Sequence, residues 1–218
     1  MIVPDKIIRS ARKTLAVSVD CLGNVTVRAP YACSEQRIFS FLREKENWIL
    51  RKKSQRAGAG MKLPPENLDG YSFLLLGKPY LVRLCDSRKI RVDNAVIYLP
   101  SENAKEKLTA WLKQNAKRIL TNAVAAQSTR MGVQVSSVRI SSAKTRWGSC
   151  SGKNNVNFSF RLLYAPKETV EYVVIHELAH VRHKDHSKRF WAEVEWYAPD
   201  WKTHRKWLKD HAYLMQIF

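Results

Sequence analysis

The spacing of apolar residues in the first hundred positions predicts mainly short β-strands. Apolar and polar residues alternate in two neighbouring stretches, at Leu15, Val17 and Val19 and again at Val25 and Val27. A period of two indicates strands with one buried face, and residues 22–24 between the stretches predict a hairpin turn. Further strand patterns cover residues 72–76, 80–84, 89–92 and 95–99, with a turn at Asp93-Asn94.

One helix is predicted among these strands. Ser34 is a good N-cap, because its side-chain oxygen can accept a hydrogen bond from a free N–H of the first helical turn. Apolar residues then recur at helical spacing until about Gly58: Ile38, Phe41, Leu42, Trp48 and Ile49. Residues 58–70 contain Gly, Pro and Lys, and they predict a linker or an exposed loop.

The pattern changes after residue 100. Pro100 and Ser101 introduce a helical pattern that runs to about Gly132. Strand patterns follow over residues 135–141, 144–150 and 156–161, and helical patterns follow those. The predicted class is α+β. A β-rich region over residues 1–100 contains one helix, and a second region over residues 101–218 contains a long helix, a small antiparallel sheet and further helices.

The helix predicted over residues 168–182 carries the strongest chemical signal. Its apolar sector consists of Val170, Val173, Val174, Leu178 and Val181. His176 and His180 lie four positions apart, about 5.4 Å along a helix, so both project from one face as two ligands of one metal ion require. Glu177 lies about 100° round the helix, where it can reach a water on the metal and act as general base. With six His in the chain, H-E-x-x-H is expected by chance only about 0.008 times.

His186 is the predicted third ligand. It lies too far along the chain for the same helix to present it, so the chain has to turn back. Ser187 supplies a reason for the turn, because it can cap a new helix directly after His186. Three imidazoles leave a fourth position open for a catalytic water. His183 competes for the role, since a helix that continued further would bring His183 near the metal instead.

The chain is strongly basic. It has 38 Lys and Arg against 19 Asp and Glu, a net charge of +19. Such a balance favours polyanionic partners, nucleic acid or nucleotides, through long-range attraction and counterion release. A solvated basic surface without a dedicated ligand explains the same excess equally well. We therefore predict that the protein can bind nucleic acid or a nucleotide through its basic surface, in addition to its substrate.

The sequence predicts a cytoplasmic protein without a membrane partner. No run of about 18 apolar residues occurs, and the segment Met1-Ile2-Val3-Pro4-Asp5 lacks the apolar stretch of a signal peptide. Four cysteines are scattered without a C-x-x-C pair: Cys21, Cys33, Cys85 and Cys150. Reduced, mostly buried thiols are therefore expected, and neither a disulfide framework nor a cysteine zinc site is indicated.

The strands that precede the metal helix predict a substrate cleft. A strand pair next to that helix offers free backbone groups, on which an extended peptide can be laid as an added strand. Arg146 and Trp147 lie in the second of these strand patterns and are the candidate cleft residues. The alternative is that Trp147 packs in the core and Arg146 pairs with a surface carboxylate.

Characteristic motifs run along most of the chain. In the second half they are Lys144-Thr145-Arg146-Trp147-Gly148-Ser149-Cys150, Arg161-Leu162-Leu163, Tyr172-Val173-Val174-Ile175-His176-Glu177-Leu178-Ala179-His180, His186-Ser187, Phe190-Trp191 and Pro199-Asp200-Trp201. The first half contributes Arg9-Ser10-Ala11-Arg12-Lys13 and Leu76-Gly77-Lys78-Pro79-Tyr80. Together they resemble the signature of the YgjP-like metallopeptidase-type family, which is akin to the SprT and Wss groups of zinc proteases.

The resemblance implies zinc as the cofactor, held by His176, His180 and His186, with Glu177 as the general base. It also implies that residues 101–218 form a zincin-like metallohydrolase domain.

Two broader groups of zinc proteases share part of this pattern. Metzincins have a Gly where this chain has His183 and a Met-containing turn after the motif, whereas Met215 is the only later methionine here. Membership of that group is therefore not expected. Gluzincins take the third ligand from a downstream Glu, a role that Glu193 or Glu195 could fill, and His186 ranks before both.

The predicted function is that of a zinc-dependent metallohydrolase, in the first place an endopeptidase that attacks proteins or peptides with a metal-bound water activated by Glu177. The alternative is a metal-dependent nucleotide phosphohydrolase resembling nucleoside triphosphate pyrophosphatases, because metal hydroxide attacks phosphorus as well as carbonyl carbon and the basic charge suits polyphosphate. A nucleic-acid-binding module with a structural metal is the second alternative. It is disfavoured because three ligands leave an open site and Glu177 would then lack a purpose.

Overall fold

The computed structural model describes residues 2–20, 23–57 and 64–218. The chain forms two compact units, Met1–Lys62 and Leu63–Phe218. The division at residue 100 stays a prediction. Cys21, residue 22 of the predicted hairpin turn and residues 58–63 of the predicted linker lie outside the described residues.

The first unit contains a three-stranded sheet and two helices. The elements are β1 (Lys6–Ser10), β2 (Ala16–Val19), β3 (Val25–Pro30), α1 (Glu35–Glu44) and α2 (Glu46–Ala57). The strand order is β1-β3-β2, with β3 parallel to β1 and antiparallel to β2. Alternate residues of β3 face the helices, and the buried cluster consists of Val19, Val25, Val27, Ala29, Ile38, Leu42 and Ile49.

The predicted hairpin and the Ser34 cap are both confirmed. Strands β2 and β3 pair with Val19 opposite Val25, and Ser34 Oγ accepts a hydrogen bond from the backbone N–H of Arg37. The prediction of one continuous helix was wrong, because the backbone leaves the helical conformation at Lys45, with φ −100° and ψ 6°. The apolar spacing continues across Lys45, so the pattern did not reveal the break.

The second unit begins with a four-stranded sheet that contains all four predicted strands. They are β4 (Ser72–Leu75), β5 (Lys78–Cys85), β6 (Arg91–Asp93) and β7 (Val96–Pro100). Their order is β4-β5-β7-β6, and β5 runs parallel to β7 while the two outer pairings are antiparallel. Asn94 and Ala95 both have positive φ and form the tight turn between β6 and β7.

The long helix α3 (Ala104–Met131) has 28 residues. One face is buried over its whole length, at Leu108, Leu112, Ala116, Leu120, Val124 and Met131. Gly132 ends the helix in the left-handed conformation, with φ 62°, and its N–H bonds to the Thr129 carbonyl. Neither α3 nor any other helix of the described residues combines the length and the apolar character that crossing a bilayer demands.

A second sheet of this unit follows α3. It consists of β8 (Ser137–Ser141), β9 (Gly148–Cys150) and β10 (Asn155–Ser159), in the order β8-β10-β9. The predicted hairpin of β9 and β10 is confirmed. The prediction of a purely antiparallel sheet was wrong, because β10 inserts between its two predecessors and therefore runs parallel to β8. This order leaves β9 at an edge of the sheet.

Three helices complete the unit: α4 (Lys167–Arg182), α5 (Lys188–Tyr197) and α6 (Trp201–Asp210). The turn between β4 and β5 fixes the start of α4. Gly77 has φ 76°, and a Cβ on it would lie 2.9 Å from Pro166 Cα, while the N–H of Leu76 bonds to the Leu163 carbonyl at 2.6 Å. Helix α4 then packs against α3, β9, α5 and α6.

The fold is α+β, as the sequence predicted, with six α-helices and three small mixed sheets among the described residues. The described cysteines Cys33, Cys85 and Cys150 are free thiols, and they are half-buried rather than buried.

A buried arginine ties the last residues of the chain to the loop before β9. Arg161 is only 2% exposed. Its Nε donates to the Ile217 carbonyl at 2.8 Å, its Nη1 to the Ser142 carbonyl at 2.9 Å, and its Nη2 to the Phe218 carbonyl. Gln216 Nε2 also donates to the Lys144 carbonyl at 3.1 Å. The loop that leads into β9 is therefore held by backbone hydrogen bonds to two buried or half-buried side chains.

Replacing Arg161 by Met should strongly destabilise the second unit. The substitution keeps most of the buried volume but leaves three carbonyl oxygens without a donor, and each lost partner costs about 1–3 kcal/mol. We expect the free energy of unfolding to fall by about 3 kcal/mol or more. Urea unfolding followed by tryptophan fluorescence measures this, since Trp48 is the only tryptophan of residues 1–62.

The matched control is Arg139→Met, which replaces an exposed arginine of β8 whose side chain has no hydrogen bond or ion pair among the described residues. Its expected effect is within about 0.5 kcal/mol. A loss below about 1 kcal/mol for Arg161→Met would show that the three hydrogen bonds do not hold the loop and the tail together.

Candidate metal centre

Three imidazoles converge at the end of α4. His176 and His180 project from the same face of the helix, with ring centroids 5.1 Å apart, and His186 meets them from the following loop at 5.2 Å and 4.7 Å. One nitrogen from each ring lies within 4.8 Å of the other two. The structure therefore brings together the three side chains that the sequence predicted as ligands, while their role as ligands stays a prediction.

The nitrogen spacing fits a tetrahedral metal ion. His176 Nε2 and His186 Nε2 lie 3.3 Å apart. Two nitrogens that each bind a zinc ion at about 2.0–2.1 Å with a tetrahedral angle are separated by about 3.3–3.4 Å. The three-imidazole donor set also suits a divalent transition metal. The three histidines therefore fit the zinc ion that the sequence motif implies.

Hydrogen bonding fixes the tautomer of His180. Its Nδ1 lies 2.9 Å from the backbone carbonyl oxygen of His183. A carbonyl only accepts, so Nδ1 carries the proton and Nε2 keeps its lone pair for a metal. His176 differs, because its Nδ1 is buried and has no hydrogen-bond partner among the described residues. Of the two helical histidines, only His180 therefore has its Nδ1 held by a hydrogen bond.

His183 turns away from the other three histidines. The helix ends at Arg182, and His183 has an extended backbone, with φ −118° and ψ 105°. Its Nε2 lies 2.9 Å from Glu193 Oε2, and Arg182 Nη1 donates to the other oxygen of Glu193 at 2.6 Å. Glu193 is thereby engaged with two basic side chains, and Glu195 is exposed on α5. Neither glutamate reaches the His176, His180 and His186 cluster.

The short loop that carries His186 is held at both ends. Lys184 Nζ donates to Asn154 Oδ1 at 2.6 Å, which ties the loop to the turn between β9 and β10. Ser187 Oγ caps α5 by accepting from the Phe190 N–H, as the sequence predicted. The buried Phe190 ring then packs against all three imidazoles, with centroid distances of 4.9, 4.5 and 4.7 Å. These contacts set the position of His186 without a helix of its own.

Glu177 lies next to this cluster and is 5% exposed. Burial raises the pKa of its carboxyl to about 8, and the positive charge of Arg146 partly opposes that rise. Strand β9 presses closely on the side chain, since a Cβ on Gly148 would lie 2.7 Å from Glu177 Oε1. Only a glycine allows the edge strand to approach the carboxyl this closely.

A cleft of about 610 Å³ opens over the cluster. His176, Glu177 and His186 line it, together with the predicted cleft residues Arg146 and Trp147. Trp147 is half-buried and packs against the core as well, and Arg146 is exposed and has no ion pair among the described residues. Their contact with substrate stays a prediction.

Sequence reasoning missed several residues of the cleft wall. Tyr172, Trp191, Arg205 and Lys209 line it from α4, α5 and α6. A signal was present for the last helix, because Trp201, Arg205 and Lys209 recur every four residues and so share one face. What the sequence did not reveal is that α5 and α6 fold back beside α4.

Comparison with known proteins identifies the family. The family model described as YgjP-like, metallopeptidase domain matches residues 13–211. A search of curated proteins found no match. Among solved structures, the crystal structure of the metallopeptidase zymogen of Pyrococcus abyssi abylysin is similar, with 28% sequence identity and a TM-score of 0.36, over 43% of this chain and 92% of that one. Because the family model covers nearly the whole chain, the protein belongs to the YgjP-like metallopeptidase family and is a metallohydrolase.

Proposed function

We propose that the protein is a zinc-dependent endopeptidase in which Glu177 acts as the general base. One observation carries the proposal: a buried carboxyl lies directly beside three convergent imidazoles, at the floor of an open cleft. A structural metal site is normally closed by four protein ligands. A three-nitrogen site that faces a cleft beside a carboxyl suits catalysis better.

The family implies a divalent metal ion, and the donor set supports zinc. His176, His180 and His186 would hold it, and the proton on His180 Nδ1 leaves the other nitrogen of that ring available. When bound there, the ion supplies Lewis acidity, which makes water more acidic and polarises a carbonyl oxygen. No cysteine belongs to the described cluster, so the ligands that we propose are all imidazoles.

Glu177 performs the proton transfers. In its carboxylate form it takes a proton from the attacking water and later delivers it to the leaving amine. Burial, only partly opposed by the positive charge of Arg146, raises the pKa of the carboxyl to about 8, so the group is protonated near neutral pH. The positive charge of a cation among the imidazoles would further favour the ionised form that a base requires.

The edge strand β9 offers a place for the peptide. In the order β8-β10-β9 it pairs, among the described strands, only with β10, so its outer edge has no strand partner there and is where an extended chain could be added. Gly148 of β9 lines the cleft and contacts Glu177. A peptide added along this edge would therefore run past the carboxyl and the imidazoles. Trp147, which precedes Gly148 in the chain, provides an apolar surface for a side chain of the substrate.

A nucleotide phosphohydrolase is the second candidate. Arg146, Arg205 and Lys209 line the cleft, while Glu177 is the only acidic residue that the described part of the chain contributes to its wall. Basic side chains of this kind also bind phosphate. A nucleic-acid-binding module with a structural metal has less support, because it leaves the buried Glu177 and the open cleft without a role.

Replacing Glu177 by Gln should abolish most hydrolysis and leave metal binding intact. Gln keeps the size of the side chain but cannot accept the proton, and losing general-base help costs about 10² to 10⁴-fold in kcat. The assay follows cleavage of unfolded casein by the metal-loaded protein, with nucleoside triphosphates in parallel.

Glu195→Gln is the matched control for this substitution, since Glu195 is exposed on α5 and should leave the rate unchanged. Equal casein cleavage by Glu177→Gln and the wild type would refute the base assignment. Hydrolysis of triphosphates without cleavage of casein would establish the second candidate in place of the first.

The third ligand can be identified from metal content. His186→Ala should lose most of the bound zinc, because only two imidazoles remain. His183→Ala should retain it, since this substitution removes the side-chain contact with Glu193 but keeps the backbone carbonyl that orients His180. Both variants are loaded with zinc, dialysed and analysed by atomic spectrometry. Zinc lost from the His183 variant and kept by the His186 variant would reverse the assignment.

The raised pKa of Glu177 predicts a pH dependence of stability in the metal-free protein. Burial raises this pKa from 4.5 to about 8, so the folded state holds its proton more tightly than the unfolded state. The resulting stabilisation is complete below the unfolded pKa and is lost as the pH rises through about 8. Glu177→Gln resembles the protonated form. As the pH rises from about 5 to about 8, its free energy of unfolding should therefore increase by about 2–4 kcal/mol relative to that of the wild type.

Urea unfolding of both proteins in the presence of a chelator at these two pH values measures the difference. Glu195→Gln should show no such gain, because the side chain is exposed. A stability difference between Glu177→Gln and the wild type that is the same at both pH values would contradict the raised pKa.

A further inference from the structure

An arginine in the wall of the cleft is mounted on two stacked tryptophans. Trp191 of α5 and Trp201 of α6 stack with ring centroids 4.3 Å apart and planes 23° apart. The guanidinium carbon of Arg205 lies 5.1 Å from the Trp191 centroid and 6.0 Å from the Trp201 centroid. Aromatic faces attract a guanidinium and restrict its movement while its N–H groups stay free at the edge. The side chain is therefore held in position before any ligand arrives.

This platform borders the imidazole cluster directly. Trp191 lies 5.7 Å from the ring of His176 and 5.7 Å from that of His186. A group bound to Arg205 would thus lie close to the proposed reaction centre.

Arg205 has no acidic partner among the described residues, since none of their ion pairs includes it. Arg182, by contrast, is paired with Glu193 at 2.6 Å. Lys209 lies one turn further along the same face of α6 and also lines the cleft. Among the described residues, the one carboxyl in the cleft wall is that of Glu177, which lies under β9. Apart from Glu177, this part of the wall therefore presents positive charge next to the imidazoles with no carboxylate to neutralise it.

We propose that Arg205, assisted by Lys209, forms a subsite that binds a carboxylate of the peptide substrate next to the scissile bond. This inference rests on the proposed peptidase function and names its substrate class: peptides with Asp, Glu or a free C-terminal carboxylate close to the cleaved bond. The planar guanidinium fork matches a carboxylate with two parallel hydrogen bonds, and such charged pairs are the strong ones. Positioning on the tryptophan stack reduces the entropy that binding would otherwise cost.

The two sources of a carboxylate can be distinguished with matched peptides. One series places Asp or Glu, or the isosteric Asn or Gln, at the positions on either side of the cleaved bond. Each peptide is made with a free and with an amidated C-terminus. For the wild type we expect kcat/KM to be about ten- to hundredfold higher with the preferred carboxylate than with its uncharged isostere. A difference within the first series identifies a side chain, and a difference between the termini identifies the chain end.

Charge reversal tests Arg205 itself. Arg205→Glu should remove the preference and favour the same peptide with Lys in place of its acidic residue, or with a basic amide at its end. Arg205→Gln should remove the preference without reversing it, and it serves if the reversed variant folds poorly. The control is Arg91→Glu, because Arg91 is also stacked on an aromatic ring, 4.4 Å from Tyr98, but does not line the cleft. It should retain the preference of the wild type.

Binding provides a readout that does not depend on turnover. In Glu177→Gln protein, titration with the acidic and the neutral peptide can be followed by tryptophan fluorescence, since Trp191 lies under Arg205. Binding of the acidic peptide should be about tenfold tighter or more, and Arg205→Gln should abolish that difference.

The outcomes separate the two proposals. Equal cleavage and equal binding of acidic and neutral peptides would overturn the subsite and leave the peptidase function standing. Cleavage of no peptide, together with tight binding of triphosphate that Arg205→Gln weakens, would overturn both the peptidase function and the carboxylate assignment. A preference that persists in Arg205→Glu would also overturn the role of Arg205.

Discussion

The enclosure of helix α4 is the constraint on which the rest of the second unit depends. Nine of its residues are buried, and α3, β9, α5 and α6 surround it. A polar side chain on an enclosed helix is costly unless it has a partner. His176 therefore projects at the edge that meets the cleft, with the His180 ring beside it, and Glu177 is covered by the closest approach of β9. The packing around α4 leaves few openings, and this determines where the polar side chains of the site can lie.

The sequence predicted what depends on neighbours along the chain. The four-residue spacing of His176 and His180 fixes a shared face, and Ser187 caps the next helix through its own hydroxyl, so both could be inferred locally. What depends on packing between distant elements could not be inferred. The contact of Gly148 with Glu177 and the hydrogen bond from Lys184 to Asn154 join residues about 30 positions apart, and no periodicity in the chain records them.

The end of α4 shows where a local rule was too narrow. A glycine in the left-handed conformation is the usual way to stop a helix, and its absence made His183 a competitor of His186. The helix instead ends because His183 takes an extended conformation and pairs with Glu193 of α5, while its carbonyl accepts from His180 Nδ1. One residue thereby ends the helix and orients an imidazole. Tertiary contacts thus stabilise a helix end that has no glycine in the left-handed conformation.

The charges around the cleft solve two electrostatic problems together. The base that we propose, Glu177, must be ionised, yet burial raises its pKa, and Arg146 is the neighbour that lowers it. An imidazole that is to bind a metal must instead be neutral, and burial first, followed by repulsion from the neighbouring His180, His186 and Arg205, lowers the pKa of His176. Positive surroundings therefore favour the deprotonated form of both groups. A cleft lined with carboxylates would have the opposite effect on each, holding the proton on Glu177 and adding one to His176. The excess of basic residues in the cleft wall is thus useful to the site whatever charge the substrate carries.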